Sequence, residues 1–347
     1  MYHSGQNKSE FNAPQKFFAQ RRSLAMSLAI AGLAMTAHAA LDSTVALAQQ
    51  NYPQKPVTII VPFAAGGVSD TQGRLLAKKL SERWGQPVIV ENKPGASTMI
   101  GMNYTARANP DGYTIVFSDV GTLTSSPALR SMQYDLQKDF SPITIATYSP
   151  YLLTSNNSMP FNTLQELIDY ARANPGKLNY GTSGLGTTPH LAGRLFANQL
   201  GIKWADIPAK GGSQTIQDVL GGQVDLMFNS VFSTGGHVRE GRLKVFAISS
   251  EKRLADMPEV PTVSEVIPGF IAGGYQGLLA PAGTPAPIIK KISEDIIQIL
   301  KSPEVSEQLK DLGAEPMATT PEEMQAFITT DMARWAKLAK EENLKID

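Results

Sequence analysis

Short apolar runs of strand length alternate with helical spacings from residue 57 onward, and this alternation sets the fold class. Val57-Thr58-Ile59-Ile60-Val61-Pro62-Phe63 is nearly continuous, as in a strand buried on both faces. Leu75, Leu76 and Leu80 then fall on one side of a helix over 68–84. Residues 87–90 read as a second strand and 98–108 as a second helix, stopped by Asn109-Pro110-Asp111-Gly112. Residues 113–117 make a third strand. A βαβαβ order predicts a parallel sheet with helices on both faces. The pattern restarts at Leu152-Leu153-Thr154. Further strands are expected at 178–180, 204–208, 224–228, 243–248 and 275–280, with helices at 163–173, 189–200 and 213–220. The proline-bearing stretch 258–269 reads as an extended connection, and the tail, 285–343, as three helices divided by Pro303 and by Gly313 to Pro321. The expected class is α/β, in two units with a helical tail.

The chain before residue 52 reads differently. Arg21-Arg22 precede an apolar stretch, Leu24 to Met35, that is too short to span a bilayer. Ala37-His38-Ala39 and Ala46-Leu47-Ala48 are small-x-small cleavage patterns, so 1–48 reads as a signal peptide cut after 39 or 48. The later site is preferred because the first strand begins soon after it. The paired arginines fit a general secretory (Sec) signal or a twin-arginine (Tat) one. No other apolar run approaches membrane length, so an exported, periplasmic location is expected.

Charge and cysteine usage remove several functions. The 31 basic and 31 acidic residues balance, which leaves no electrostatic footprint for nucleic acid. Cutting the signal removes Lys8, Lys16, Arg21 and Arg22 but only Glu10 and Asp42, so the remainder is slightly acidic. With no cysteine there is no disulfide scaffold, thiolate metal site, cysteine nucleophile or iron–sulfur cluster. His3 and His38 leave with the signal, and His190 and His237 are too few for a histidine-rich metal site. No metal and no cofactor are expected.

In open α/β sheets, ligands sit beyond the carboxyl ends of strands, near helix N-termini. Five such junctions are rich in glycine and hydroxyls: 64–70, 94–98, 118–125, 181–188 and 210–214. Unpaired amides at helix starts accept anions, most simply a carboxylate. The same residues also make ordinary turns and caps. Enzyme signatures are incomplete. Ser249-Ser250-Glu251-Lys252 has S-x-x-K spacing without its companion motifs, and Gly181-Thr182-Ser183-Gly184-Leu185 lacks the last glycine of G-x-S-x-G. His190, after Thr188-Pro189, suits capping or packing.

The motifs taken together resemble the Bug (Bordetella uptake gene) family, extracytoplasmic solute-binding proteins of the tripartite tricarboxylate transporter type. The resemblance covers essentially all of 52–343. It rests on Tyr52-Pro53 through Ile60-Val61-Pro62-Phe63-Ala64-Ala65-Gly66-Gly67 with Asp70, and on Glu91-Asn92-Lys93-Pro94-Gly95-Ala96 with Gly101. Pro110-Asp111-Gly112-Tyr113-Thr114, Tyr180-Gly181-Thr182-Ser183-Gly184 with His190 to Gly193, and Leu220 to Asp225 are similar to later family segments, as is Gly277 to Pro285.

The resemblance implies a two-lobed periplasmic-binding-protein fold (type II-like), each lobe a sheet flanked by helices, with the ligand cleft between lobes. Lobe 1 would be 52–150 plus 272–347, and lobe 2 would be 151–271. It points to Ala65, Gly66, Gly67 and Asp70 on one side of a ligand carboxylate, and to Thr182, Ser183 and Thr187 on the other. Ser97, Thr98, Ser118, Asp119, Ala209, Lys210 and Asp225 complete the candidate ligand-binding set. Three features depart from the family. Ser97-Thr98 stands where Gly-Gly is usual, Ala209 replaces a usual tyrosine, and Asp119 is an acid facing an expected anion.

The implied function is capture of a small carboxylate by lobe closure and its delivery to membrane permease subunits, by a monomer. Dicarboxylates, citrate-like acids, aromatic carboxylates and amino acids all fit the resemblance. The missing tyrosine leans toward a bulkier ligand. The alternatives are a secreted α/β enzyme using Asp70, Asp119 or Asp225, and a sensor subunit of a signalling system.

Overall fold

The computed structural model describes residues 1–3, 52–311 and 313–341. The expected signal segment, beyond its first three residues, lies outside them. Elements follow in chain order. β1 (Val57–Val61), α1 (Val68–Trp84), β2 (Val88–Asn92), α2 (Met99–Ala106), β3 (Thr114–Asp119) and the short α3 (Val120–Ser125) come first. Next are β4 (Phe140–Ser155), α4 (Leu164–Ala173), β5 (Asn179–Thr182), α5 (Thr188–Leu200), β6 (Ala205–Pro208), α6 (Gly212–Leu220), β7 (Leu226–Ser230), α7 (Val231–Arg239) and β8 (Lys244–Ile248). β9 (Gly273–Pro281), α8 (Ala286–Lys301), α9 (Pro303–Asp311), β10 (Glu315–Pro316) and α10 (Pro321–Glu341) complete the order. The three tail helices fall where Pro303 and Gly313 to Pro321 divide them.

The sheet runs β2-β1-β3-β9-β4-β7-β5-β6, with β8 and β10 also paired to β4. β1 pairs in parallel with β2 and β3, as the opening βαβαβ order requires. β5 likewise pairs in parallel with β6 and β7. The centre is antiparallel, because β9 inserts between β3 and β4 from far along the chain. The sheet as a whole is therefore mixed, with parallel pairing kept in each outer part.

β4 belongs to both halves of the sheet. Its residues Phe140–Pro150 pair with β9, and Tyr151–Ser155 pair with β7. A second connection passes beside it. Ser249, fully buried, accepts from the Tyr151 amide (2.8 Å) and donates to the Ala272 carbonyl (2.5 Å). The serine of the S-x-x-K spacing thus ties the two crossings together.

Each half has its own core. Ile60, Met102, Val116, Leu123, Ile145, Leu279 and Ile328 pack in the first. Leu153, Leu167, Tyr180, Phe196, Phe228 and Phe246 pack in the second. Burying apolar side chains of this size contributes roughly 1.5–3 kcal/mol each. The leucines of α1 follow the helical spacing, with Leu76 and Leu80 buried and Gly85 closing the helix in a left-handed C-cap.

Candidate functional site

A cavity of about 320 Å³ opens at the carboxyl ends of β1, β3, β5, β6 and β7. Ala64, Ala65, Gly67, Val68 and Ser69 line it from the β1–α1 junction, and Asp119 and Thr122 from the β3–α3 junction. Ser183 and Thr187 come from the β5–α5 junction, Lys210 to Gln214 from the β6–α6 junction, and Asn229 and Ser230 from the end of β7. Tyr151 enters from the crossover in β4, and Gly274 and Gln276 from β9. Four of the five expected loops therefore meet.

Two of the helices that begin here carry open N-termini. Gly67 caps α1 and Gly211 caps α6, and neither helix has a side-chain cap. Glycine at the cap leaves the first-turn amides without the side-chain acceptor that serine or threonine would bring. Val68 and Ser69 of α1, and Gly212, Ser213 and Gln214 of α6, all border the cavity. At the start of α4, by contrast, Thr163 accepts from the Glu166 amide. The third helix, α5, offers less. Pro189 has no N–H, and the Thr188 amide is taken by Thr122 Oγ1 at 3.3 Å. A fixed positive field thus comes from two helices on opposite walls.

The β5–α5 loop is braced from behind. Thr187 Oγ1 donates to the Gly184 carbonyl (2.7 Å), Gly184 N–H donates to Thr182 Oγ1 (2.9 Å), and Gly186 N–H donates to His190 Nδ1 (3.1 Å). His190 is buried and packed, as its position after Thr188-Pro189 suggests. Ser126 Oγ and Arg130 Nη2 also donate to the carbonyls of Gly186 (3.1 Å) and Leu185 (3.0 Å), linking the β3–α3 segment to this loop.

Two carboxylates near the cavity have opposite characters. Asp70 is buried, which opposes its ionisation. Arg74, the Gly66 amide and Asn92 outweigh that and hold it below the usual carboxylate value. The contacts are 2.9–3.0 Å: Arg74 to both oxygens, Gly66 N–H to Oδ2 and Asn92 Nδ2 to Oδ1. Among the described residues, Asp119 has no cation on it. Burial pushes its carboxyl up to about 7, against the amides of Thr122 and Gly121, and Asp331 adds like charge. The one lysine on the lining, Lys210, is exposed and makes no ion pair among the described residues.

The sequence-derived residues divide accordingly. Ala65, Gly67, Asp119, Ser183, Thr187 and Lys210 border the cavity. Gly66 and Asp70 lie just behind it, bonded to each other. Thr182 and Ala209 also stand behind, with the Ala209 amide on the Thr182 carbonyl (2.8 Å). Ser118 alternates with Asp119 along β3, so its side chain is buried on the other face of the sheet. Ser97 and Thr98 are off the lining, and Ser97 Oγ faces the Gly184 loop instead. Asp225 precedes β7, whereas the cavity takes residues at the other end of that strand. It accepts from the Asn179 amide (2.7 Å).

Tyr151, Asn229, Ser230 and Gln276 were not foreseen. Asn229-Ser230 carried a local signal, as polar residues ending an apolar strand. Tyr275 and Phe228, aromatics near strand ends, are off the cavity lining. Phe228 is core, and Tyr275 packs on Tyr148 (4.8 Å) and Phe327 (4.7 Å).

A mixed α/β fold with a cavity at the strand ends, bordered by helix N-termini, has the geometry of a binding site for a small ligand. Residues 73–344 match the family described as tripartite tricarboxylate transporter family receptor. The chain belongs to that family. It is 33% identical over 302 residues to BugT of Bordetella pertussis, covering 85% of this chain and 91% of that protein. It is 34% identical over 319 residues to a Pseudomonas sp. protein from the tcbD-tcbE intergenic region, covering 91% and 94%. Among solved structures it superposes on the periplasmic binding protein BugD with a TM-score of 0.81 at 35% identity, covering 85% of this chain and 99% of that one. MatC from Rhodopseudomonas palustris with bound malate gives 0.78 at 32%, covering 82% and 99%. An R. palustris protein with adipate gives 0.81 at 33%, covering 85% and 99%. The chain is a receptor of this family, not an enzyme.

Proposed function

We propose that this protein is a periplasmic receptor that captures a small carboxylate in the cavity and passes it to the membrane subunits of a tripartite tricarboxylate-type transporter. The observation that carries the reading is the pair of open helix N-termini, α1 from one half of the sheet and α6 from the other, facing one cavity. An anion placed there meets amides and helix dipoles from both walls. Malate and adipate in the related structures are the same chemistry. The two sheet halves act as lobes, about 52–150 with 272–347 and about 151–271, hinged where β4 and the Ser249–Ala272 connection cross. Closure traps the ligand because only the closed state offers both walls. A signal peptide at 1–48 exports the chain, which works as a monomer.

Isothermal titration of ligand-stripped protein against mono-, di- and tricarboxylates tests this. Binding of at least one with micromolar affinity is expected. Failure of every member of the panel overturns it.

A further inference from the structure

We propose that Asp119 and Tyr151 form a subsite for a protonated amine, so that the guest is an amino-carboxylate rather than a plain acid. This rests on the carboxylate-receptor reading above and narrows it. Asp119 is only 9% exposed and Tyr151 2%, yet both border the cavity. The Asp119 carboxylate is incompletely served. Oδ1 accepts from the Thr122 amide at 2.9 Å and Oδ2 has a long contact from Gln276 Nε2 at 3.5 Å, while the Gly121 amide and the Tyr151 hydroxyl stand near the carboxyl and favour its charged form without replacing a cation. Gln276 is itself fixed, because Ser69 Oγ donates to its Oε1 at 2.6 Å. The Tyr151 hydroxyl lies near Asp119 and Thr188 but meets hydrogen-bond geometry with no partner among the described residues. A buried hydroxyl and a buried carboxylate oxygen, both open toward one space, suit a donor brought by the ligand.

Charge decides which donor. Among the described residues, no element packed against Asp119 brings a cation to it. β9 supplies Gln276 and Tyr275, β4 supplies Tyr151, and α5 supplies Thr188. α10 supplies Asp331, whose charge is taken by Arg334 at 2.8 Å. A ligand hydroxyl would leave the buried carboxylate uncompensated, whereas an ammonium group compensates it. The opposite wall has the reverse polarity, with Lys210 and the amides that start α6. A zwitterion laid across the cavity meets a matching charge at each end. Space at the acid end depends on Gly274. A β-carbon there would stand 3.3 Å from Asp119 Oδ2 and 3.6 Å from both Gln276 Nε2 and the Tyr151 ring.

The test titrates ligand-stripped protein with two matched series: succinate, malate and aspartate, then glutarate, 2-hydroxyglutarate and glutamate. The amino member of at least one series should bind about tenfold or more tighter than its unsubstituted member. Asp119→Asn should erase that preference, weakening the amino member relative to its unsubstituted partner in the same series, and asparagine still caps α3. Gly274→Ala should erase it by crowding, which covers the case of an Asp119 variant that fails to fold. Unsubstituted or hydroxy acids that bind as well as the amino acids in both series overturn the amine subsite and leave the carboxylate receptor standing. Silence from all six overturns both.

Discussion

Gly67, the cap of α1, faces Ser213 of α6 across the cavity: a β-carbon built on Gly67 would lie 3.5 Å from Ser213 Oγ. That is ordinary contact, so alanine fits, but the γ-carbons of valine would fill the space between the two helix starts. Gly67→Val should weaken carboxylate binding by about tenfold or more, and Gly67→Ala by much less. Titration of both variants with the tightest ligand of the wild type checks this. Equal affinity in all three places the ligand away from these helix starts.

Asp70 acts on the same loop from behind. Its carboxylate holds the Gly66 amide, Arg74 and Asn92 together. Asp70→Ala leaves those donors unserved and should cost on the order of 2 kcal/mol at pH 7. A carboxyl held below its unfolded value of 3.8 stabilises the fold above that pH, and the contribution fades as pH falls through the folded value. Urea midpoints of wild type and variant should therefore converge in acid. A gap that stays constant with pH would show that packing, not charge, is what alanine removes.

These two residues also show how far the sequence carries. The Ala64-Ala65-Gly66-Gly67 run and Asp70 are contiguous, and an open α/β sheet places such a loop at the strand end. The same local logic located Thr187 and Lys210. It could not locate Tyr151 or Gln276, because their places depend on β4 and β9 pairing over more than a hundred residues of separation. Only Leu152-Leu153-Thr154 of β4 was legible as a strand. Pro142 and Pro150 interrupt the remainder, and the structure absorbs irregularity with register shifts after Pro142 and after Ile145. Helices α3 and α7 were missed as well. One is six residues of small and hydroxyl side chains, and the other contains Gly235-Gly236, so neither shows a helical apolar stripe. Asp225 was misplaced for a simpler reason: a sequence motif gives no indication of which end of its strand faces the ligand.

Ser97 is strained. Ala96, Ser97 and Thr98 stand in succession at φ of 46°, 48° and 79°, in the left-handed region that non-glycine residues pay about 1 kcal/mol each to enter. Ser97→Gly should relieve one of these and raise unfolding stability by about 1 kcal/mol, read from urea denaturation. Carboxylate affinity should stay unchanged, because Ser97 is off the cavity lining. Destabilisation instead would mean that the Ser97 hydroxyl, beside the Gly184 loop, contributes more than its backbone costs.

Asp119 should make the ligand-free protein less stable as pH rises. Burial raises its carboxyl from 3.8 to about 7, so the folded state binds this proton more tightly than the unfolded chain does. The sign is the reverse of that for Asp70. No penalty exists below pH 3.8, it grows between 3.8 and about 7, and above that it is complete, on the order of 4 kcal/mol. Asp119→Asn removes the charge and keeps an acceptor for the Thr122 amide. The variant should be more stable than wild type at pH 8 and equal to it at pH 4, by urea denaturation of ligand-free protein at both values. A variant less stable at pH 8 would show that the ionised carboxylate is already compensated in the empty cavity.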